Sequence, residues 1–139
     1  MLDALPDWPP RTVAVLSTGG GSPHGIPVST ALRVGPRTIV LALALRRESL
    51  ARVRDDPRCA LTVLAAGDVA FTAHGRAEIV EEPMAESDGV AALRIDVETI
   101  QDHRQDTFRI DDGVSWRWTD PVADRRDADI RSALSRFAP

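Results

Sequence analysis

The stretch Thr38-Ile39-Val40-Leu41-Ala42-Leu43-Ala44-Leu45-Arg46-Arg47-Glu48-Ser49-Leu50-Ala51-Arg52-Val53-Arg54-Asp55-Asp56-Pro57-Arg58-Cys59-Ala60-Leu61-Thr62-Val63-Leu64 changes its hydrophobic period twice. Thr38 to Ala44 is an apolar, partly β-branched run and reads as a strand. From Glu48 to Asp55 the apolar residues Leu50 and Val53 lie three apart with charges around them, and Pro57 stops the run, which predicts a short amphipathic helix. Cys59 to Leu64 returns to strand. A strand, one short helix and another strand, with further strands directly on either side, argue for an antiparallel β architecture. A parallel sheet would require a helix between every pair of strands.

Working outward, Thr12 to Thr18 is a strand ending in the turn Gly19-Gly20-Gly21-Ser22-Pro23-His24-Gly25. Ile26 to Leu32 reads as a second strand closed by Gly35-Pro36. Pro27 cannot donate a ladder hydrogen bond and belongs at a sheet edge or bulge. Val69 to Val80 forms a hairpin with Cys59–Leu64 about Ala66-Gly67-Asp68. It places Val69, Phe71, Ala73, Ala77 and Ile79 on one face, where Gly75 signals a bulge or a close backbone approach. Leu93, Ile95 and Val97 alternate with charges. Phe108 and Ile110 face Val114, Trp116 and Trp118 across Asp111-Asp112-Gly113, a hairpin signature. Asp120 then caps a helix with Pro121 at its first position and Ile130, Ala133, Leu134 and Phe137 as its buried stripe.

The expected fold is therefore mostly β. It is a six- to eight-stranded antiparallel split β-barrel in a single domain spanning 1–139, with a short helix after the third strand and a C-terminal helix. The 43% apolar and 27% charged residues suit a packed globule. A net charge of −4 gives no field for a nucleic-acid backbone. All 17 cationic residues are arginine, so lysine chemistry is excluded while bidentate anion recognition stays open. The single cysteine, Cys59, lies in an apolar strand and is expected to be structural. With no signal-like or membrane-spanning run, it points to the reducing cytoplasm.

Several chemistries find no support. The glycine-rich turn lacks the lysine and Ser/Thr of a phosphate loop. His24, His74 and His103 have no metal-ligand spacing with Cys59. No nucleophile elbow is present.

The order of strand, glycine-rich turn, Pro27-Val28-Ser29, strand, short helix, Asp55-Asp56-Pro57-Arg58, apolar strand and hairpin with Gly75-Arg76-Ala77-Glu78 resembles the pyridoxamine 5'-phosphate oxidase-like superfamily of FMN-binding split barrels. The resemblance runs over roughly Arg11 to Val80 and implies a homodimer with FMN or a deazaflavin coenzyme in a groove made by both subunits. It assigns Val28, Ser29 and Thr30 to the flavin ring, and Ala42 and Leu43 to the ribityl-phosphate. The loop Arg46-Arg47-Glu48-Ser49 is assigned to the phosphate, with Arg46, Arg47 and Ser49 as its donors. One of Trp116 and Trp118 would close over the ring, and either is expected at or beside the dimer interface.

This chain departs from the family pattern at one place: Glu48 and Ser49 stand where the family carries an adjacent cationic pair, and the arginines are displaced to 46 and 47. Three readings follow from the resemblance and this departure. The chain is an FMN-dependent oxidoreductase acting on a small molecule by two-electron transfer, a deazaflavin-dependent reductase such as some high-GC bacteria use, or a non-catalytic dimeric binding protein that has lost the redox site. The arginine-containing C-terminal motifs of true pyridoxamine-phosphate oxidases find no match in Trp118–Pro139.

Overall fold

The structure is a computed structural model describing all residues from 1 to 139. Its seven strands form one antiparallel sheet: β1 Ala14–Thr18, β2 His24–Val28, β3 Leu32–Gly35, β4 Thr38–Ala44, β5 Arg58–Ala65, β6 Val69–Glu81 and β7 Val90–Asp102. Helix α1, Glu48–Asp55, joins β4 to β5; α2, Pro121–Leu134, ends in a 3-10 turn at Ser135–Phe137. The spatial order is β2-β1-β5-β6-β7-β4-β3, so β2 and β3, neighbours in sequence, sit at opposite edges. Pro27 lies on an edge strand, as expected of a residue that cannot donate to a ladder.

The main core holds 24 buried residues, among them Leu16, Ile39, Leu41, Leu61, Phe71, Leu93, Ile95 and Ile100, all on one face of the curled sheet. A second, smaller core lies on the other face, where Val40 of β4 and Ala92 of β7 meet Ile130 and Leu134 of α2. β4 thus buries both faces, which is why its sequence is a continuous apolar run and not an alternating one. On α1 the buried residues are Ser49, Leu50 and Val53, matching the helical spacing read from sequence. The Asp120 carboxylate caps α2 by accepting a hydrogen bond from the Val122 amide at 2.9 Å. Asp120→Ala should cost about 1 kcal/mol in urea unfolding; an unchanged midpoint would mean that the cap adds nothing to the docked helix.

Gly75 sits at a register shift: His74 faces Thr99 but Gly75 faces Val97, leaving Glu98 as the extra residue of β7. A Cβ there would lie 2.1 Å from the Asp96 carbonyl oxygen. Both the bulge and the close backbone approach expected at this glycine are present. The β5–β6 turn is tight, with positive φ at Gly67 (82°) and Asp68 (59°).

Two expectations need correction. The run Ile26–Leu32 is not one strand: the chain leaves the sheet at Ser29–Ala31 and re-enters as β3 on the opposite edge, so the short helix follows the fourth strand. The hairpin expected about Asp111-Asp112-Gly113 does not form. Phe108 makes only an isolated bridge to Gln105, and residues 109–118 have no strand partner. The segment is a strap across the barrel end, satisfied by other groups. Asp68 donates its amide to the Ile110 carbonyl at 3.0 Å, and its carboxylate accepts from the Ile110 amide at 2.9 Å.

Candidate functional site

The loop after β2, the end of β4 and one face of α2 enclose a cleft of about 260 Å³. Its floor is apolar: Val28, Ala42, Leu43, Ala44 and Val90, with Ala123 and Ile130 from the helix. Its polar groups are Ser29, Thr30, Arg46, Arg47, Arg126 and Asp127, and Trp118 stands at its rim, 40% exposed. A more open depression beside Val53 and Ile79 is larger, but its Arg54 is already ion-paired with Glu82. It offers no converging free donors.

Of the residues assigned from the resemblance, Val28, Ser29, Thr30, Ala42, Leu43, Arg46, Arg47 and Trp118 come together here. They are not equally free. The Thr30 hydroxyl accepts from the Ala42 amide at 2.9 Å and donates to the Ala42 carbonyl at 3.2 Å, so it pins the loop to β4. The Ser29 hydroxyl makes no hydrogen bond within the chain and is available to a ligand. Arg46 and Arg47 are exposed, and neither has a carboxylate within 4.0 Å.

Ser49 does not reach the cleft. It is fully buried in the first turn of α1, and its hydroxyl has no partner. Arg47 precedes the helix without a side-chain cap. Glu48 is engaged elsewhere: it accepts from Arg52 Nε at 2.7 Å and lies 3.2 Å from His24 Nδ1. The Arg52 hydrogen bond and the nearby Arg52 and His24 charges hold its carboxyl below the usual range. Arg52 also donates to the Gly19 and Ser22 carbonyls, tying down the glycine-rich turn. Glu48 thus serves the packing of that turn.

Trp116 also lies outside the cleft. Its indole donates to the Arg11 carbonyl at 2.8 Å, the Arg11 guanidinium sits 4.2 Å from its ring centre, and its ring meets that of Trp118 edge-on at 5.6 Å. Trp116 is a prop for Trp118. Trp116→Ala should raise acrylamide quenching of the remaining indole emission while far-UV dichroism stays native; unchanged quenching would mean that Trp118 is held by something else. Cys59 is buried on β5, and burial pushes its thiol up to about 12. At neutral pH it is a thiol and a core residue, as expected.

The sequence reading missed the α2 wall. Ala123, Arg126, Asp127 and Ile130 share one helical face at spacings of three, four and seven. That spacing is visible in sequence, but Arg126 and Asp127 are unremarkable until the helix docks against β4. Asp127 is 5% exposed and lies 2.5 Å from Arg131 Nη2, one turn on.

The sequence profile of the pyridoxamine 5'-phosphate oxidase family matches residues 3–108. The chain belongs to this family. No characterised, curated protein matches it significantly in sequence. Solved structures share the family's fold at low identity. A pyridoxamine 5'-phosphate oxidase-like protein from Listeria innocua superposes with a TM-score of 0.54 at 17% identity, covering 65% of this chain and 86% of that one. A FAD-binding protein from Mesorhizobium loti gives 0.53 at 17%, covering 64% and 83%. A heme binding protein from Mycobacterium smegmatis gives 0.54 at 18%, covering 66% and 48%. The family match ends at Phe108, ahead of the strap that carries Trp118 and of α2.

Proposed function

We propose that the chain is a flavin-binding oxidoreductase that holds FMN in this cleft and passes two electrons between the flavin and a small molecule. One observation carries the reading: an apolar floor is bordered by guanidiniums that have no counter-ion in the chain. The donor set fits a phosphorylated flavin, with Arg46 and Arg47 for the phosphate, the Ser29 hydroxyl for a polar ring edge and Trp118 as a cover. Bound flavin would supply hydride or two-electron transfer; the chain's residues would bind it, orient it and keep water from it. Family membership and the FAD-binding neighbour support this reading.

Heme is the weaker alternative. His24 is held by Glu48, His74 bonds Gln101 and His103 bonds Thr72, and none of the three lines the cleft. A deazaflavin coenzyme would use the same apolar floor. The free Cys59 thiol suits a reducing cytoplasm, and no helix is long and apolar enough to cross a membrane.

The cleft in one protomer is smaller than the roughly 300–1,000 Å³ of complete small-molecule sites. A second copy of the chain is the natural completion. On the outward face of β1 and β5, Val15 is 45% and Leu64 50% exposed, and Pro27, paired with Val15 across β1–β2, belongs to both this face and the cleft rim. Such an apolar strip fits a two-fold interface. Leu64→Asp should give a monomer by sedimentation and weaken flavin binding with it. A dimer unaffected by the change would place the interface elsewhere.

The purified protein's visible spectrum, followed by titration with FMN, the deazaflavin coenzyme and heme, tests the main reading. Saturable FMN binding with a flavin spectrum supports it. Failure to bind either flavin leaves the non-catalytic binding protein.

A further inference from the structure

We infer that Arg126 of α2 is the third jaw of an anion clamp, gripping the phosphate of a phosphorylated ligand between itself and the Arg46–Arg47 loop. The two sides come from distant parts of the chain. The loop is fixed to the barrel by backbone hydrogen bonds from Leu45 to the Gly89 carbonyl and from Arg47 to the Ala44 carbonyl, each 3.0 Å. Arg126 is delivered by α2, whose Ala123 and Ile130 dock on the same cleft and whose Ile130 and Leu134 anchor it over β4.

Three like charges around one concavity repel each other unless something neutralises them. Two of the nearby carboxylates are ion-paired elsewhere: Asp127 with Arg131 at 2.5 Å, Glu48 with Arg52 at 2.7 Å. Asp129, one turn beyond Arg126, makes no ion pair with it. None of these carboxylates pairs with Arg46, Arg47 or Arg126, all three of which are exposed, and a phosphate monoester, with close to two negative charges and three acceptor oxygens, matches three guanidiniums. The ligand's identity as FMN rests on the proposed function; the clamp itself requires only a phosphate.

The test compares Arg126→Gln with Arg125→Gln, an equal charge change at an exposed neighbour that does not line the cleft. Arg126→Gln should weaken FMN binding about tenfold or more and leave riboflavin binding unchanged, while Arg125→Gln alters neither. In parallel, millimolar inorganic phosphate should raise the Tm of the parent and of Arg125→Gln, and raise that of Arg126→Gln less. Equal FMN affinity in parent and Arg126→Gln overturns the clamp but not the flavin reading. Equal losses in both variants also overturn it, since only bulk charge would then be at work. If the parent binds no FMN but the phosphate effect still depends on Arg126, the clamp stands and the flavin reading falls; if neither ligand responds, both fall.

Discussion

Gly75→Ala should destabilise the protein by about 3 kcal/mol or more, read as a shift of the urea midpoint. The new Cβ would lie 2.1 Å from the Asp96 carbonyl oxygen, 2.9 Å from its carbon and 3.0 Å from Val97 Cα. All three are backbone atoms of the neighbouring strand and cannot swing aside as a side chain would. Relief would have to come from parting β6 and β7, the two longest strands, at the bulge where their register already shifts. Gly89→Ala is the matched control, because a Cβ there meets nothing within 4 Å; it should change stability by less than about 0.5 kcal/mol. A loss below about 1 kcal/mol for Gly75→Ala would mean that the bulge relaxes easily and is no fixed point of the fold.

The same glycine illustrates what could be read from sequence and what could not. A glycine on the apolar face of an alternating run is a local irregularity with few explanations, so the bulge was legible. The strands around it were legible for a similar reason: one face of each is buried, and a period of two records that burial. The stretch 38–64 is the clearest case, with β4, α1 and β5 all where the pattern places them. The strap was not legible. Phe108, Ile110, Val114, Trp116 and Trp118 alternate like hairpin strands, but Ile110 pairs with the Asp68 turn and Trp116 with Arg11, partners some 40 and 105 residues away in sequence. A local pattern cannot tell an apolar face that finds its own hairpin partner from one already claimed by another part of the chain. The break at Ser29–Ala31 was hidden for the same reason, since Thr30 is held by the backbone of Ala42 and not by the strand it continues.

The candidate site divides along the same line. Strand register fixes where a side chain sits, so Val28 on β2 and Ala42 and Leu43 on β4 line the cleft, with Ser29 just past the end of β2. Ser49 lies outside this cleft, because its hydroxyl is turned inward with Leu50 and Val53 on the buried face of α1. The α2 wall was out of reach because its contribution depends on which side of the sheet the helix covers.

Phosphate recognition by the loop gives the largest effect expected on binding. Arg47→Ala should weaken FMN binding by about 1.5–3 kcal/mol, the contribution of a charge-assisted hydrogen bond, with riboflavin affinity hardly changed. The comparison separates two causes of lost affinity. Riboflavin presents the same ring without the phosphate, so a loss confined to FMN locates the contact, and a loss with both ligands means the groove itself is damaged. Damage is not expected, since Arg47 is exposed and makes no side-chain hydrogen bond or ion pair in the chain. Arg46→Ala, run beside it, weighs the two guanidiniums, which both border this cleft from the turn between β4 and α1. Salt supplies an independent check: FMN affinity of the parent should fall between 50 and 500 mM salt, and fall less in each variant, because fewer charges remain to be screened. If both variants bind FMN as the parent does, the displaced arginines are solvent-facing, and Glu48 and Ser49 record a real loss of the family's phosphate site. The chain would then have kept the barrel and given up its flavin, and the apolar floor between β4 and α2 would serve a ligand without a phosphate.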